Sequence, residues 1–139
     1  MKLQHLVLGL LAFAIGLSPQ SPTTALAQGR GNYRAKLISP KPGQVVMPGQ
    51  VVRIEWSSEY PNVDLGMCET EVLLSIDGGK TVYMMLRELR NPKEQSFDWI
   101  VPNAPTKEAV LDIRFGCMNL YPETPSLQYN FAIGSAPKK

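Results

Sequence analysis

The side chains that could carry out catalysis are few in this chain. Its 139 residues include one histidine, His5, and two cysteines, Cys68 and Cys117. His5 lies in a segment that we expect to be removed, so the mature chain would contain no histidine. This excludes nucleophilic catalysis by Ser-His-Asp or Cys-His groups, and also zinc or copper sites built on histidine.

Two other kinds of catalytic group are weakly represented. The residues Asp77-Gly78-Gly79-Lys80 lack the spacing of a phosphate-binding loop and are typical of a hairpin turn. Glu69 and Glu71 could serve acid–base chemistry, but glycoside hydrolysis needs two carboxylates opposed across a cleft. We interpret both as solvated surface groups. We therefore predict that the protein is not an enzyme and that it has no cofactor.

Methionine offers a different chemistry, because thioethers are suitable ligands for Cu(I). Met67 and Met118 flank the two cysteines, and Met84-Met85 lie in a predicted strand. Methionine is more often a filler of hydrophobic cores. We therefore predict no metal site, and a methionine-based copper carrier remains the least favoured alternative.

The first 27 residues are typical of a secretory signal peptide. Met1-Lys2 supplies the positive start, residues 6–17 form an apolar run, and Ala25-Leu26-Ala27 is a cleavage signal before Gln28. The run is too short to cross a bilayer, which needs about 20 apolar residues. We predict cleavage between Ala27 and Gln28, a secreted or periplasmic location, and no membrane span in the mature chain.

The charge of the chain bears on its partners. There are 14 Lys and Arg residues against 12 Asp and Glu residues, which gives a formal net charge of +2. A nearly neutral domain has no electrostatic footprint for nucleic acid. We therefore expect no nucleic-acid partner.

Apolar and polar residues alternate along most of the remaining chain, which is typical of half-buried β-strands. The clearest apolar sets are Val52, Ile54 and Trp56; Val72, Leu74 and Ile76; Phe97, Trp99 and Val101; Leu111, Ile113 and Phe115; and Tyr129, Phe131 and Ile133. The pattern predicts seven strands at about 35–39, 50–57, 69–77, 81–88, 95–101, 109–117 and 127–133. We predict an all-β fold, a single seven-stranded antiparallel immunoglobulin-like β-sandwich over 35–133, with a flexible lead-in at 28–34 and a basic tail at 134–139.

The succession of motifs also resembles a known group of domains. The chain opens with the pattern I-S-P-x-x-G-x-x-V-x-x-G-x-x-V-x-I-x-W over 38–56, followed by V-L-L-S-I-D-G-G-K-T over 72–81 and F-D-W-I-V-P over 97–102. This resembles the Ig-like or fibronectin-III-like domains of exported bacterial proteins. It is also similar to the N-terminal Ig-like domain of fungal cell-wall-synthesis and GPI-anchored glycoproteins. The resemblance implies a fold more than a function, because such domains serve many roles.

The two cysteines are an even number in a protein that we expect to be exported, which favours a disulfide. Cys68 opens the third predicted strand and Cys117 closes the sixth. These strands are antiparallel neighbours in an Ig-type sheet, so their start and end lie side by side. We predict a Cys68–Cys117 disulfide.

Three connections, 58–67, 90–94 and 118–126, are expected at one end of the sandwich. They are rich in apolar and aromatic residues, and binding residues concentrate on loops held by a rigid scaffold. The candidate partner-binding residues are Tyr60, Met67, Met118 and Tyr121. The alternative is that some of these side chains only plug the open end of the sandwich.

These observations predict a non-enzymatic binding module that acts on envelope polysaccharide or an envelope protein through this loop end. The alternative is a structural or accessory subunit that adds an edge strand to a partner, with the first or last strand as the edge. The pattern leaves the oligomeric state open.

Overall fold

The structure is a computed structural model that describes residues 33–118 and 121–137, with only the backbone of Tyr121 and Pro122. The predicted signal peptide, its cleavage site at Ala27 and Gln28, and the last two lysines lie outside the described residues. Within the described part of the chain, no helix is long and apolar enough to cross a membrane.

The described residues form two β-sheets. The smaller sheet has the order β1-β3-β6, with β1 at Arg34–Ser39, β3 at Val51–Glu59 and β6 at Ser96–Ile100. The larger sheet has the order β2-β9-β7-β4-β5, and β8 also pairs with β7. Its strands are β2 (Val45–Val46), β4 (Glu69–Ser75), β5 (Met84–Leu89), β7 (Thr106–Cys117), β8 (Tyr121–Thr124) and β9 (Phe131–Ile133).

Each of the seven predicted strands overlaps a strand of the structure, and the all-β prediction is confirmed. The described residues add two short strands, β2 and β8, so the count of seven was too low. The last predicted strand is also shorter than expected, because Leu127 makes only an isolated bridge with Asp112 and the strand begins at Phe131.

The alternating residues form the core, as the pattern predicts. In the smaller sheet Val52 pairs with Trp99 and Ile54 with Phe97, and all four side chains are buried. They face the apolar side chains of the larger sheet across the sandwich. The main core contains Leu37, Val46, Val52, Ile54, Trp56, Val72, Leu74, Leu89, Phe97, Trp99, Val101, Ala109, Leu111, Ile113, Phe131 and Ile133.

The chain enters the fold earlier than the pattern indicates. We assigned residues 28–34 to a flexible lead-in, but Tyr33 is buried and Arg34 begins β1. Tyr33 belongs to a second, smaller cluster at one end of the sandwich. This cluster contains both cysteines, and Tyr60 of the candidate site packs against it.

Candidate functional site

The disulfide determines the geometry of the loop end. Glu69 pairs with Gly116 in the antiparallel β4–β7 ladder, so Cys68 and Cys117 lie opposite each other at its end. Their sulfur atoms are 2.06 Å apart and their Cα atoms 3.9 Å apart. The bond joins the connection that precedes β4 to the one that follows β7. Both cysteines are oxidised, so neither offers a thiolate to a metal.

An aromatic plug lies against the disulfide. The ring centroid of Phe115 is 5.0 Å from those of both Tyr33 and Tyr60, and the two tyrosine centroids are 5.9 Å apart. The half-buried Tyr60 also donates its hydroxyl hydrogen to the carbonyl oxygen of Pro92. Burial raises the pKa of the Tyr33 phenol, which stays protonated at any physiological pH.

The position of Tyr60 bears on its predicted role. Its ring packs at a tilt against Phe115 and Tyr33, and its hydroxyl is bound within the chain. These contacts favour the alternative in which the side chain closes the end of the sandwich, and partner binding by Tyr60 stays a prediction. Leu65 is half-buried and packs against the same cluster.

Met67 and Met118 have the opposite character. They are 50% and 75% exposed, and they line one hollow of about 340 Å³ together with Gly66, Glu69 and Arg90. Met118 follows the disulfide with a φ of 35°, a left-handed conformation that is uncommon for a residue with a side chain. The expectation that methionine fills the core fails here, because all five methionines among the described residues are exposed: Met47, Met67, Met84, Met85 and Met118.

A short 3₁₀ helix at Leu65–Met67 positions the first of these methionines. Asp64 caps it, because its Oδ1 accepts a hydrogen bond from the Gly66 amide at 2.9 Å. The Cys68 amide closes the turn by donating to the Leu65 carbonyl oxygen at 3.1 Å. Met67 is therefore presented on a turn that is held at one end by a cap and at the other by the disulfide.

The surface around the two methionines carries charges of both signs. Arg90, which follows β5, has a side chain that is 91% exposed and lies 3.6 Å from a carboxylate oxygen of Glu88. A neighbouring hollow of about 620 Å³ shares Gly66 and Arg90 with the first. It is also lined by Val63, Asp64, Leu65, Asn91 and Lys93. We call the two hollows together the loop-end surface.

The fourth predicted site residue, Tyr121, begins β8, where its backbone pairs with Cys117. Its side chain lies outside the described residues, so its predicted role stays a prediction. The sequence prediction placed the connection 90–94 at this end without assigning a role to Arg90, and it missed Tyr33. The signal for Tyr33 was present, since it lies two residues before Ala35 and continues the alternation of β1.

A separate polar cluster lies on the outer face of the larger sheet. Arg114 bonds Asp112 at 2.8 Å and Glu123 at 3.4 Å. Burial, and then a hydrogen bond with Glu123, raise the pKa of Glu71 beside them. Among the described residues, no three His, Cys, Asp or Glu side chains could together hold a metal ion.

The strand order allows the fold to be compared with known ones. Three strands in the order β1-β3-β6 face a sheet in which β9, β7, β4 and β5 are neighbours. A structure of the Clostridium thermocellum CbhA fibronectin(III)-like modules is similar, with a TM-score of 0.50 over 75% of this chain and 13% sequence identity. The fold is fibronectin(III)-like.

The likeness concerns the fold alone. This chain covers 47% of the length of the CbhA chain. No family model matches the sequence. No curated protein matches it either. The disulfide fits an extracellular domain.

Proposed function

We propose that this chain is an exported, non-catalytic binding module of the cell envelope, and that it binds an envelope protein through the loop-end surface. One observation carries the proposal. Met67 and Met118, from connections more than 50 positions apart in the chain, line the same hollow on either side of a disulfide. Exposed apolar side chains held on a rigid scaffold are typical of binding surfaces.

The chemistry of this surface favours a protein over a polysaccharide. Sugars are often bound by stacking on an aromatic ring, but the ring of Tyr60 is packed against Phe115 and Tyr33. Thioethers are flexible and polarisable, and they adapt to varied apolar side chains. The neighbouring Arg90 and Glu69 add one charge of each sign, which gives a peptide both an anionic and a cationic contact.

The test is site-specific photo-cross-linking in a native envelope fraction. A photo-activatable residue at position 118 should capture a discrete protein. The Met67→Gln, Met118→Gln double variant should lose most of its retention on the same fraction. Glutamine is close to methionine in size, so the change removes apolar contact with little change in shape. The matched control is Met47→Gln, because Met47 is also exposed but precedes β3 at the opposite end of the sandwich.

Retention lost in the double variant and kept in Met47→Gln would support the proposal. Retention kept in both would contradict it. If a glycan were captured instead, and its capture were lost in the double variant, the loop-end surface would still be the binding site. The partner would then be a polysaccharide, and the protein partner proposed here would be wrong. Tyr60→Ala would be a poor test of the same surface, because that change would also remove ring contacts with Phe115 and Tyr33.

A further inference from the structure

The methionines of this chain are distributed unlike its other apolar residues. Among the described residues neither core cluster contains a methionine, and the interior is formed by other apolar residues and the two cysteines. All five methionines that the structure describes are exposed: Met47, Met67, Met84, Met85 and Met118. The sixth, Met1, begins the predicted signal peptide. A chemical change of the described methionines would therefore leave the packing of the core intact.

The other side chains that are easily oxidised are protected. The two cysteines are joined in the disulfide, which leaves no free thiol. The two tryptophans, Trp56 and Trp99, are only 1% and 6% exposed. The methionine thioethers are therefore the groups that a two-electron oxidant in the surrounding solution reaches first.

Two of these thioethers belong to the loop-end surface. Met118 has the highest exposed fraction of the five methionines and Met67 the next highest. They line one hollow together with Glu69 and Arg90. Oxidation at these two positions would change the surface that we propose for binding, whereas Met47 lies at the opposite end of the sandwich.

We propose that Met67 and Met118 are sites of reversible oxidation to methionine sulfoxide, and that this modification releases the bound partner. The oxidant is a hydroperoxide, either hydrogen peroxide or an organic one. Its terminal oxygen is transferred to the thioether sulfur, so the O–O bond breaks and an S–O bond forms. The sulfur loses two electrons, and the proton of the transferred oxygen passes to the other oxygen, which leaves as water or an alcohol. The release rests on the proposed function of the loop-end surface, whereas the modification itself does not.

The modification changes the character of the contact. A thioether is apolar and polarisable, whereas a sulfoxide carries a polar S–O group that accepts hydrogen bonds. A polar group buried against an apolar partner without a hydrogen bond costs binding free energy, so we expect the affinity to fall by about tenfold or more. Arg90 lines the same hollow, and its side chain is largely exposed. Its guanidinium can donate a hydrogen bond to the new oxygen in the free chain, which favours the released state.

The reverse step requires a reductant. Two thiols of a thiol-dependent methionine sulfoxide reductase supply two electrons and two protons, the sulfoxide oxygen leaves as water, and the thiols become a disulfide. Such an enzyme must reach the modified side chain, and the exposure of Met67 and Met118 allows this. Because neither side chain belongs to a core cluster, the two states of the surface differ in chemistry but not in fold.

The first test examines the modification without any partner. The purified chain is treated with hydrogen peroxide beside free methionine, and peptide mapping by mass spectrometry follows the gain of one oxygen at each position. We expect Met67 and Met118 to be oxidised at a rate close to that of free methionine, because exposure determines the susceptibility of a thioether. The midpoint of urea unfolding should not change. If positions 67 and 118 stayed unmodified, or if the chain unfolded on oxidation, the proposal would be overturned.

The second test examines release, with the peroxide removed before the chain meets the native envelope fraction. Retention should fall by about tenfold or more after oxidation and return after treatment with a methionine sulfoxide reductase. The Met67→Leu, Met118→Leu double variant keeps apolar side chains of similar volume that cannot form a sulfoxide, so its retention should survive the peroxide. Met47→Leu is the matched control and should lose retention on oxidation as the native chain does. Intact mass after alkylation would show that Cys68 and Cys117 remain paired after the reductase step.

The outcomes separate this proposal from the function on which it rests. If the untreated chain is not retained and captures no protein, the loop-end function is wrong and release by oxidation is wrong with it. If the untreated chain is retained, and the chain oxidised at both positions is retained equally well, release is wrong while the loop-end function stands. Loss of retention in the oxidised leucine double variant would assign the effect to another residue and would also overturn the proposal.

Discussion

At the scale of single residues, the loop end depends on a few side chains with clearly different roles. The disulfide and the aromatic plug hold the end, and Met67 and Met118 are presented outward. Tyr60 shows why residue type alone does not assign a role. Tyrosines in loops are common contact residues. In this chain, however, the ring of Tyr60 packs against Phe115 and its hydroxyl donates to the Pro92 carbonyl oxygen.

Removal of the disulfide should destabilise the fold strongly. The Cys68→Ala, Cys117→Ala double variant opens a loop of about 50 residues, and loop entropy then predicts a loss of about 4 kcal/mol in the free energy of unfolding. Urea unfolding followed by tryptophan fluorescence would measure it, since Trp56 and Trp99 are buried. An unfolding midpoint equal to that of the native chain would show that the bond contributes nothing to stability.

At the scale of the elements, the connections between strands carry much of the local order. Asp77 organises the turn that leads from β4 towards β5. Its Oδ1 accepts from the Ser75 hydroxyl at 2.7 Å and from the Thr81 amide at 2.9 Å, and its Oδ2 accepts from the Thr81 hydroxyl at 2.6 Å. These hydrogen bonds favour the charged carboxylate, so the pKa of Asp77 is lowered well below its usual range.

This turn should make stability fall in acid. The pKa of Asp77 is lower in the folded than in the unfolded state, where it is about 3.9. The stability that it contributes is therefore complete above that value and lost as the pH falls through the folded pKa. Thermal unfolding between neutral pH and about pH 2 should show this loss, and Asp77→Asn should show less of it. The same acid dependence in both proteins would assign the effect to other carboxylates.

The edges at the first and last predicted strands are covered, β1 by side chains of the same chain and β9 by β2, so neither is the open edge that we expected. The covered edge at β1 gives a second prediction at this scale. Gln128→Ala removes the acceptor for the Leu37 amide and the donor to the Ala35 carbonyl oxygen. We expect a loss of about 1–3 kcal/mol in the free energy of unfolding, since partly buried backbone groups lose their partners. Amide hydrogen exchange at Leu37 should also become faster.

Gln50→Ala is the matched control for this change. Gln50 accepts from the Met47 amide in the same way, but in an exposed turn where water can replace it. Its effect on unfolding should be markedly smaller. Equal effects of the two substitutions would indicate that Gln128 does not close the edge in solution.

At the scale of the whole molecule, the fold gathers its candidate binding residues at one end. The loop-end surface lies around the disulfide, where connections that are distant in the chain meet. A rigid sandwich that holds loops in this way is a common scaffold for binding residues.

The loop-end surface should respond to mutation independently of the core. Met67→Gln with Met118→Gln should reduce capture of the envelope partner and leave the free energy of unfolding nearly unchanged, because both side chains are exposed. Urea unfolding of the double variant, measured beside its capture, would check this. A large loss of stability in the double variant would mean that the two methionines also hold the fold.

The alternation of apolar residues was enough to predict the all-β class, the position of seven strands and the side chains of the core. Val52, Ile54 and Trp56 are buried as expected, because successive side chains of a strand point to opposite faces. The burial of these residues could therefore be predicted from the local sequence. The adjacency of Cys68 and Cys117 could also be predicted, since it follows from the topology that the strand pattern implies.

Only the tertiary structure decides which sheet edges are covered and which loop side chains are packed within the fold. Gln128 meets β1 across more than 90 positions of chain, and β2 reaches β9 over a comparable separation. No pattern in the local sequence predicts these contacts. In the same way, Tyr60 packs against Tyr33 and Phe115 because the fold brings these three rings together. Which face of a strand is buried follows from the alternation of neighbouring residues along the chain. Whether a sheet edge or an aromatic ring is covered depends on residues that are distant in the sequence.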